Sequence, residues 1–167
     1  MLGGNPKEQH LHYGEAYEVW KFLMAMKGAE VAYRMYSSHA GDKDLQKFLR
    51  DITENLLRPA ISDTEKTLKA ENIEFPPYPP ERPEVEGESI PAGVRLKDNE
   101  IALAVSAEIA AGLIACSMII GMSIREDIGM MFNKLHMKKV QYGGMMLKMM
   151  KDKGWLVVPP LHGVKAR

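Results

Sequence analysis

The sequence predicts an all-α protein: a four-helix bundle of two helical hairpins joined by a long Pro-rich crossover, folded as a single domain over residues 1–167. Three observations carry this. Apolar residues recur in steps of three and four through four segments. One stretch between them, residues 73–97, has no period and holds six prolines and five glutamates. The segments before the crossover and at the end of the chain also close alike, in "ENIEFPPYPP" (71–80) and "KGWLVVPPLHG" (153–163).

The first hairpin is predicted over 8–72. Its first helix runs from about Glu8 to Ser38, with His12, Glu15, Val19, Phe22, Met26, Ala29, Tyr33 and Tyr36 on one face. "HAGD" (39–42) breaks the pattern, with Gly41 as a stop and Asp42 as an N-cap. The second helix, about Lys43 to Glu71, carries Leu45, Phe48, Leu49, Ile52 and Leu56. Pro59 predicts a kink near Leu56 or a break, and beyond it Asp63 falls where apolar residues had been.

The crossover, 73–97, reads as extended chain of polyproline character. At ~3.1 Å per residue it reaches ~75 Å, enough to return along a helix of ~42 Å. The second hairpin spans 98–154, followed by a tail, 155–167. Its first helix, about Asp98 to Ile124, is nearly all apolar, with Glu108 as the lone charge after Glu100. Only 16 uncharged residues follow Glu108 up to Ile124, short of the ~20 a bilayer needs, so a helix buried by neighbours on most sides is expected. The last helix, about Asp127 to Lys153, places Ile128, Met131, Phe132, Leu135, Tyr142, Met146 and Met149 inward, and Gly154 ends it.

The halves echo one another at an offset of 82 or 83 residues. "DKDLQKFLRDI" (42–52) lies on "REDIGMMFNKL" (125–135), and the two Pro-Pro ends coincide. Internal duplication follows as an expectation. In that register the tail covers part of the bundle, and Trp155 should be largely buried.

Bulk properties narrow the partners. Lys plus Arg and Asp plus Glu both number 22, so no net charge draws the chain to nucleic acid or an anionic membrane. A single cysteine, Cys116, excludes a disulfide scaffold and suits a cytoplasmic setting. The N-terminus lacks the pattern of a secretory signal.

Two hairpins with one long crossover are the layout of a ferritin-like bundle. More narrowly, "LKAENIEFPP" and "KDKGWLVVPPL" resemble signatures of a ferritin-like family of uncharacterised proteins from spore-forming bacteria. Some of its members are described as candidate spore coat proteins related to coat protein F. Members often carry "KENIP" at the first place and "KGLYxRPP" at the second; Val158 stands here where many have Arg. The resemblance implies the fold, a structural role and association with other coat proteins or with the spore.

Ferritin-like di-metal centres take one Glu from each of two helices and Glu-x-x-His from each of the others. No Glu-x-x-His occurs here. The nearest remnants are Asp51 with Glu54 and Asn133 with His136, which Glu18 and Glu100 precede by the same 33 residues. Glu54, about 200° around the helix from Ile52, should face outward. A second constellation follows the apolar faces: His12, Glu15, Glu108 and His136, an alternative site for iron or manganese. Glu108 could instead reach a bundle edge, or pair with Lys139 as an ammonium standing where a metal would be. No metal or other cofactor is favoured, and the reading leans toward a structural or assembly protein rather than an enzyme; the alternative is a ferritin-like metal-dependent oxidoreductase or metal-binding protein with an atypical carboxylate/His site.

"HLH" (10–12) reads as a frayed helix start, since residues two apart on a helix cannot share a metal. His39 and His162 fall in loops. Seven methionines between 130 and 150 read as adaptable core, with Met137 and Met145 off the stripe. Together with the small residues of the third helix, these suggest self-association, as in a homodimer. A methionine-lined cavity would instead mark a small-ligand module. Gly143-Gly144 reads as a close packing point, and no nucleophile elbow, phosphate loop, H-E-x-x-H or C-x-x-C is present.

Overall fold

The structure, a computed structural model, describes residues 9–80, 83, 85 and 87–163. All regular structure among them is helical: α1 (Tyr13–His39), α2 (Lys43–Ile52), α3 (Arg58–Ala70), α4 (Asp98–Met122) and α5 (Glu126–Asp152). α2 and α3 form one rod through a π-helical turn, Thr53–Leu57, so the bundle has four rods. The start predicted at Glu8 lies outside the described residues, and His12 is the N-cap of α1.

The π turn falls where a kink near Leu56 or a break was predicted, and Pro59 accounts for it. Pro59 has no N–H to give the Asn55 carbonyl, which accepts instead from Lys138 Nζ at 3.4 Å. Within the turn the Arg58 N–H reaches back to Thr53. The extra residue shifts the phase of the helix. Ile61, Thr64 and Leu68 therefore face the core and Asp63 faces out.

End contacts set the directions. Gly41 N–H donates to the Asp98 carboxylate (2.8 Å), and Lys153 meets Asp42 and Asp44 (2.7 Å each). At the other end Arg125 pairs with Glu71, and His12 reaches Met122. α1 and α5 thus run one way, α2–α3 and α4 the other. Phe22 meets Phe132 edge-on at 5.0 Å across the middle, and Phe48 meets Tyr142 at 5.8 Å.

The described residues of 73–97 hold a short 3-10 turn, Gly87–Ser89, and a second turn in which Val94 and Arg95 N–H donate to Pro91 O, and they contact α1 at both of its ends. Trp20 Nε1 donates to the Glu74 carbonyl (2.9 Å), Lys27 Nζ to Pro76 (2.9 Å) and Tyr78 to Glu30 (3.1 Å). Arg95 and the Leu96 N–H close on His39 at the far end.

α3 and α5 end in the same way. Asn72 and Gly154 both take positive φ, 56° and 69°. Ile73 N–H bonds Leu68 O (3.0 Å) as Asn72 bonds Lys69 O; Trp155 bonds Met150 O (2.8 Å) as Gly154 bonds Lys151 O. These are two Schellman caps. Trp155 and Leu156 are partly buried and pack against the core, in keeping with the largely buried Trp155 expected. Val157 and Val158 point to solvent.

The third predicted helix departs most from expectation. Only 22% of the most apolar 18-residue window of α4 is buried. Ile101, Ala102, Val105, Ile109, Cys116 and Ile119 face the core. On the opposite side Leu103 (60% exposed), Ile114 (72%) and Met118 (45%) stand in solvent. By length and composition α4 could cross a bilayer. The sequence counts apolar residues but does not say whether a neighbour covers both faces.

Candidate functional site: buried polar groups and the α4 face

Among the described residues, three of the six buried polar or charged side chains, Glu15, Lys27 and Glu30, belong to helix-joining networks. Glu15 is wholly inaccessible. Its carboxylate accepts from Ile124 N–H (2.8 Å), Arg125 N–H (3.0 Å) and His12 N–H (3.1 Å). One carboxylate thus satisfies orphan donors at the N-termini of both α1 and α5, where the helix dipoles also favour its charge. His12 is equally occupied. Its Nδ1 accepts from Gly14 (3.0 Å) and Glu15 (3.3 Å), which assigns the Nε2–H tautomer, and Nε2 donates to Met122 O (3.3 Å).

Lys27 and Glu30, which sequence reasoning passed over, fasten the link to α1. Lys27 Nζ meets Glu65 at 2.8 Å and lies 4.6 Å over the Tyr78 ring. Glu30 accepts from Arg58 (3.0 Å) and from Tyr78, whose hydroxyl is pushed up to about 12 by burial and by Glu30. Their spacing on the α1 stripe, next to Met26 and Ala29, was the available signal; the position of the link was not.

Glu108 and Lys139 occupy a third cluster. Burial pushes the Glu108 carboxyl above its ordinary range, against hydrogen bonding with Tyr33 and the Lys139 charge. Burial likewise holds the Lys139 ammonium below its ordinary value. The two sense one another through space and form no direct ion pair. The Lys139 stem crosses α4 at Gly112, where a Cβ would come within 2.6 Å of Nζ. Cys116 lies beside it, pushed up to about 11 by burial, so it is a thiol and not a reactive thiolate.

The predicted metal-ligand sets do not assemble. His12 and Glu15 meet as caps; Glu108 lies in the Lys139 cluster, and His136 joins neither. Glu54 is exposed on Arg58, Asp51 accepts from Tyr142 (2.7 Å), Glu18 holds Lys21, and Glu100 accepts from Lys97 N–H (2.7 Å). Asn133 is exposed. Among the described residues no three His, Cys, Asp or Glu side chains converge. Of the two histidines expected in loops, His39 instead closes α1 and its Nδ1 accepts from Leu96 N–H, while His162 is exposed.

An open groove of about 720 Å³ separates α3 from the start of α5. Leu56, Ala60, Met130, Met131 and Leu135 line it, with Lys134 and Lys138 among the charged groups beside them. Met130 and Met131 meet solvent there beside the core residues Leu56 and Leu135.

The fold and these contacts define an all-helical bundle whose buried ionic groups join its elements. The chain belongs to the family described as "Protein of unknown function (DUF3231)", which it matches over residues 1–167. It is 42% identical over 162 residues to the uncharacterised protein YvdQ of Bacillus subtilis (strain 168), covering 97% of this chain and 95% of that one. It also resembles the crystal structure of a "putative spore coat protein" from Bacillus halodurans C-125. There the TM-score is 0.92 at 42% identity, over 96% of this chain and 100% of that one.

Proposed function

We propose that this chain is a structural protein of the spore-coat type, acting by assembly rather than catalysis. The observation that carries this reading is the uncovered apolar face of α4, which a finished monomer rarely leaves open to water. The description of the Bacillus halodurans protein supports the setting. The up-down-down-up order with one long crossover suits a ferritin-like bundle. The matching caps at Asn72 and Gly154, 82 residues apart, support an origin by duplication. In this reading the paired Glu-x-x-His ligands are gone and caps and tethers occupy the interior. A metal centre at His12, Glu15, Glu108 and His136 would require His12 and Glu15 to give up the bonds that hold two helix starts.

The test is fractionation of a sporulating Bacillus expressing the tagged chain. The protein should co-purify with the coat layers of the mature spore and resist washing in salt. Retention in the mother-cell cytosol until lysis would contradict the reading.

A further inference from the structure

We infer that α4 is the contact between two copies of this chain, paired antiparallel about a twofold axis midway between Ala110 and Ala111. This rests on the assembly reading and gives it a partner and a register.

The solvent face of α4 is mirrored about that midpoint. Leu103 and Met118 are equidistant from it, as are Ala107 and Ile114, with Ala110 and Ala111 at the centre. All six are exposed and, at helical spacing, share the side opposite the core. In an isologous contact residue i meets j and j meets i. Each large side chain then meets a different partner: Leu103 faces Met118 of the second copy, and Ile114 seats over its Ala107. The central alanines allow close helix approach. The paired stretch is about 22 Å long at 1.5 Å per residue. No charged residue lies between Leu103 and Met118 except Glu108, which is turned toward the bundle and half-buried. Nothing in the face opposes the contact by charge.

A lipid surface is the competing occupant, and two observations weigh against it. A bilayer has no use for a mirrored pattern. Residues 98–124 contain no Lys or Arg, the side chains that an interfacial helix uses to hold anionic headgroups.

The experiment is oxidative cross-linking of the full chain, with the wild type as control because Cys116 is buried and should not react. Ala110→Cys should form a disulfide-linked dimer, since the two positions lie one residue apart along the axis. Leu103→Cys alone should not, because its mate is about 22 Å away along the axis. Leu103→Cys with Met118→Cys should. Ile114→Glu, at a 72% exposed position, should keep its helical circular dichroism and lose the dimer at micromolar concentration.

A wild-type dimer that Ala110→Cys does not trap and Ile114→Glu does not break overturns the α4 pairing but leaves assembly standing. A wild-type monomer overturns both. Flotation of that monomer with phosphatidylcholine vesicles would name lipid as the cover, and absence of flotation would leave α4 without the partner inferred here.

Discussion

Glu15 carries the clearest lesson at the scale of a residue. Read from sequence, His12 and Glu15 are an i, i+3 pair on an inward stripe, the spacing of metal ligands. The same spacing makes a capping box, because one helical turn sets both. What separates the two is the approach of Ile124 and Arg125, distant in sequence by more than a hundred positions. Glu15→Ala leaves three N–H groups without their acceptor and should cost about 3 kcal/mol, read from the urea midpoint. Glu15→Gln keeps one acceptor oxygen and should cost roughly half as much. Lys139 should behave in the opposite sense. Its buried ammonium has no direct counter-ion, so Lys139→Met should stabilise by about 1–2 kcal/mol at neutral pH. Between its lowered folded value and the ordinary lysine value the unfolded chain binds more protons than the folded one. This group therefore makes stability rise with pH across that window. The wild-type minus Lys139→Met difference should shrink as pH climbs toward the lysine range, and a constant difference would contradict the account.

At the scale of an element, the helix ends were legible and the helix interruptions only partly so. Gly154 announced one stop, and the structure gives Asn72, just past the predicted end at Glu71, the same positive-φ cap. No atom lies within 4 Å of a Cβ built on Gly154, so Gly154→Ala should cost only the backbone strain, about 1 kcal/mol. Asn72→Gly should be neutral or gain a few tenths of a kcal/mol, while Asn72→Ala should lose about 1 kcal/mol, both measured by thermal unfolding. Pro59 signalled a disturbance without fixing its kind. A kink and a π turn both answer a missing N–H, and here the Asn55 carbonyl freed by Pro59 accepts from Lys138 of α5. Lys27 and Glu30 went unread for a similar reason: their partners sit on the link and on α3, whose positions no local pattern encodes.

At the scale of the whole molecule, the helical bundle could be read from periodicity, proline placement and the echoed ends. The exposure of α4 could not. Composition makes that helix apolar all round, and such a helix is ordinarily enclosed. Only the arrangement of the other three rods shows that one face has no cover among the described residues. On the proposed reading this face is where a second copy would bind. Sedimentation equilibrium of the wild-type protein over a wide concentration range tests this most directly. A mass of about twice 18.7 kDa at micromolar concentration, falling to 18.7 kDa in Ile114→Glu, is the result expected. A wild-type mass of 18.7 kDa at every concentration would contradict it.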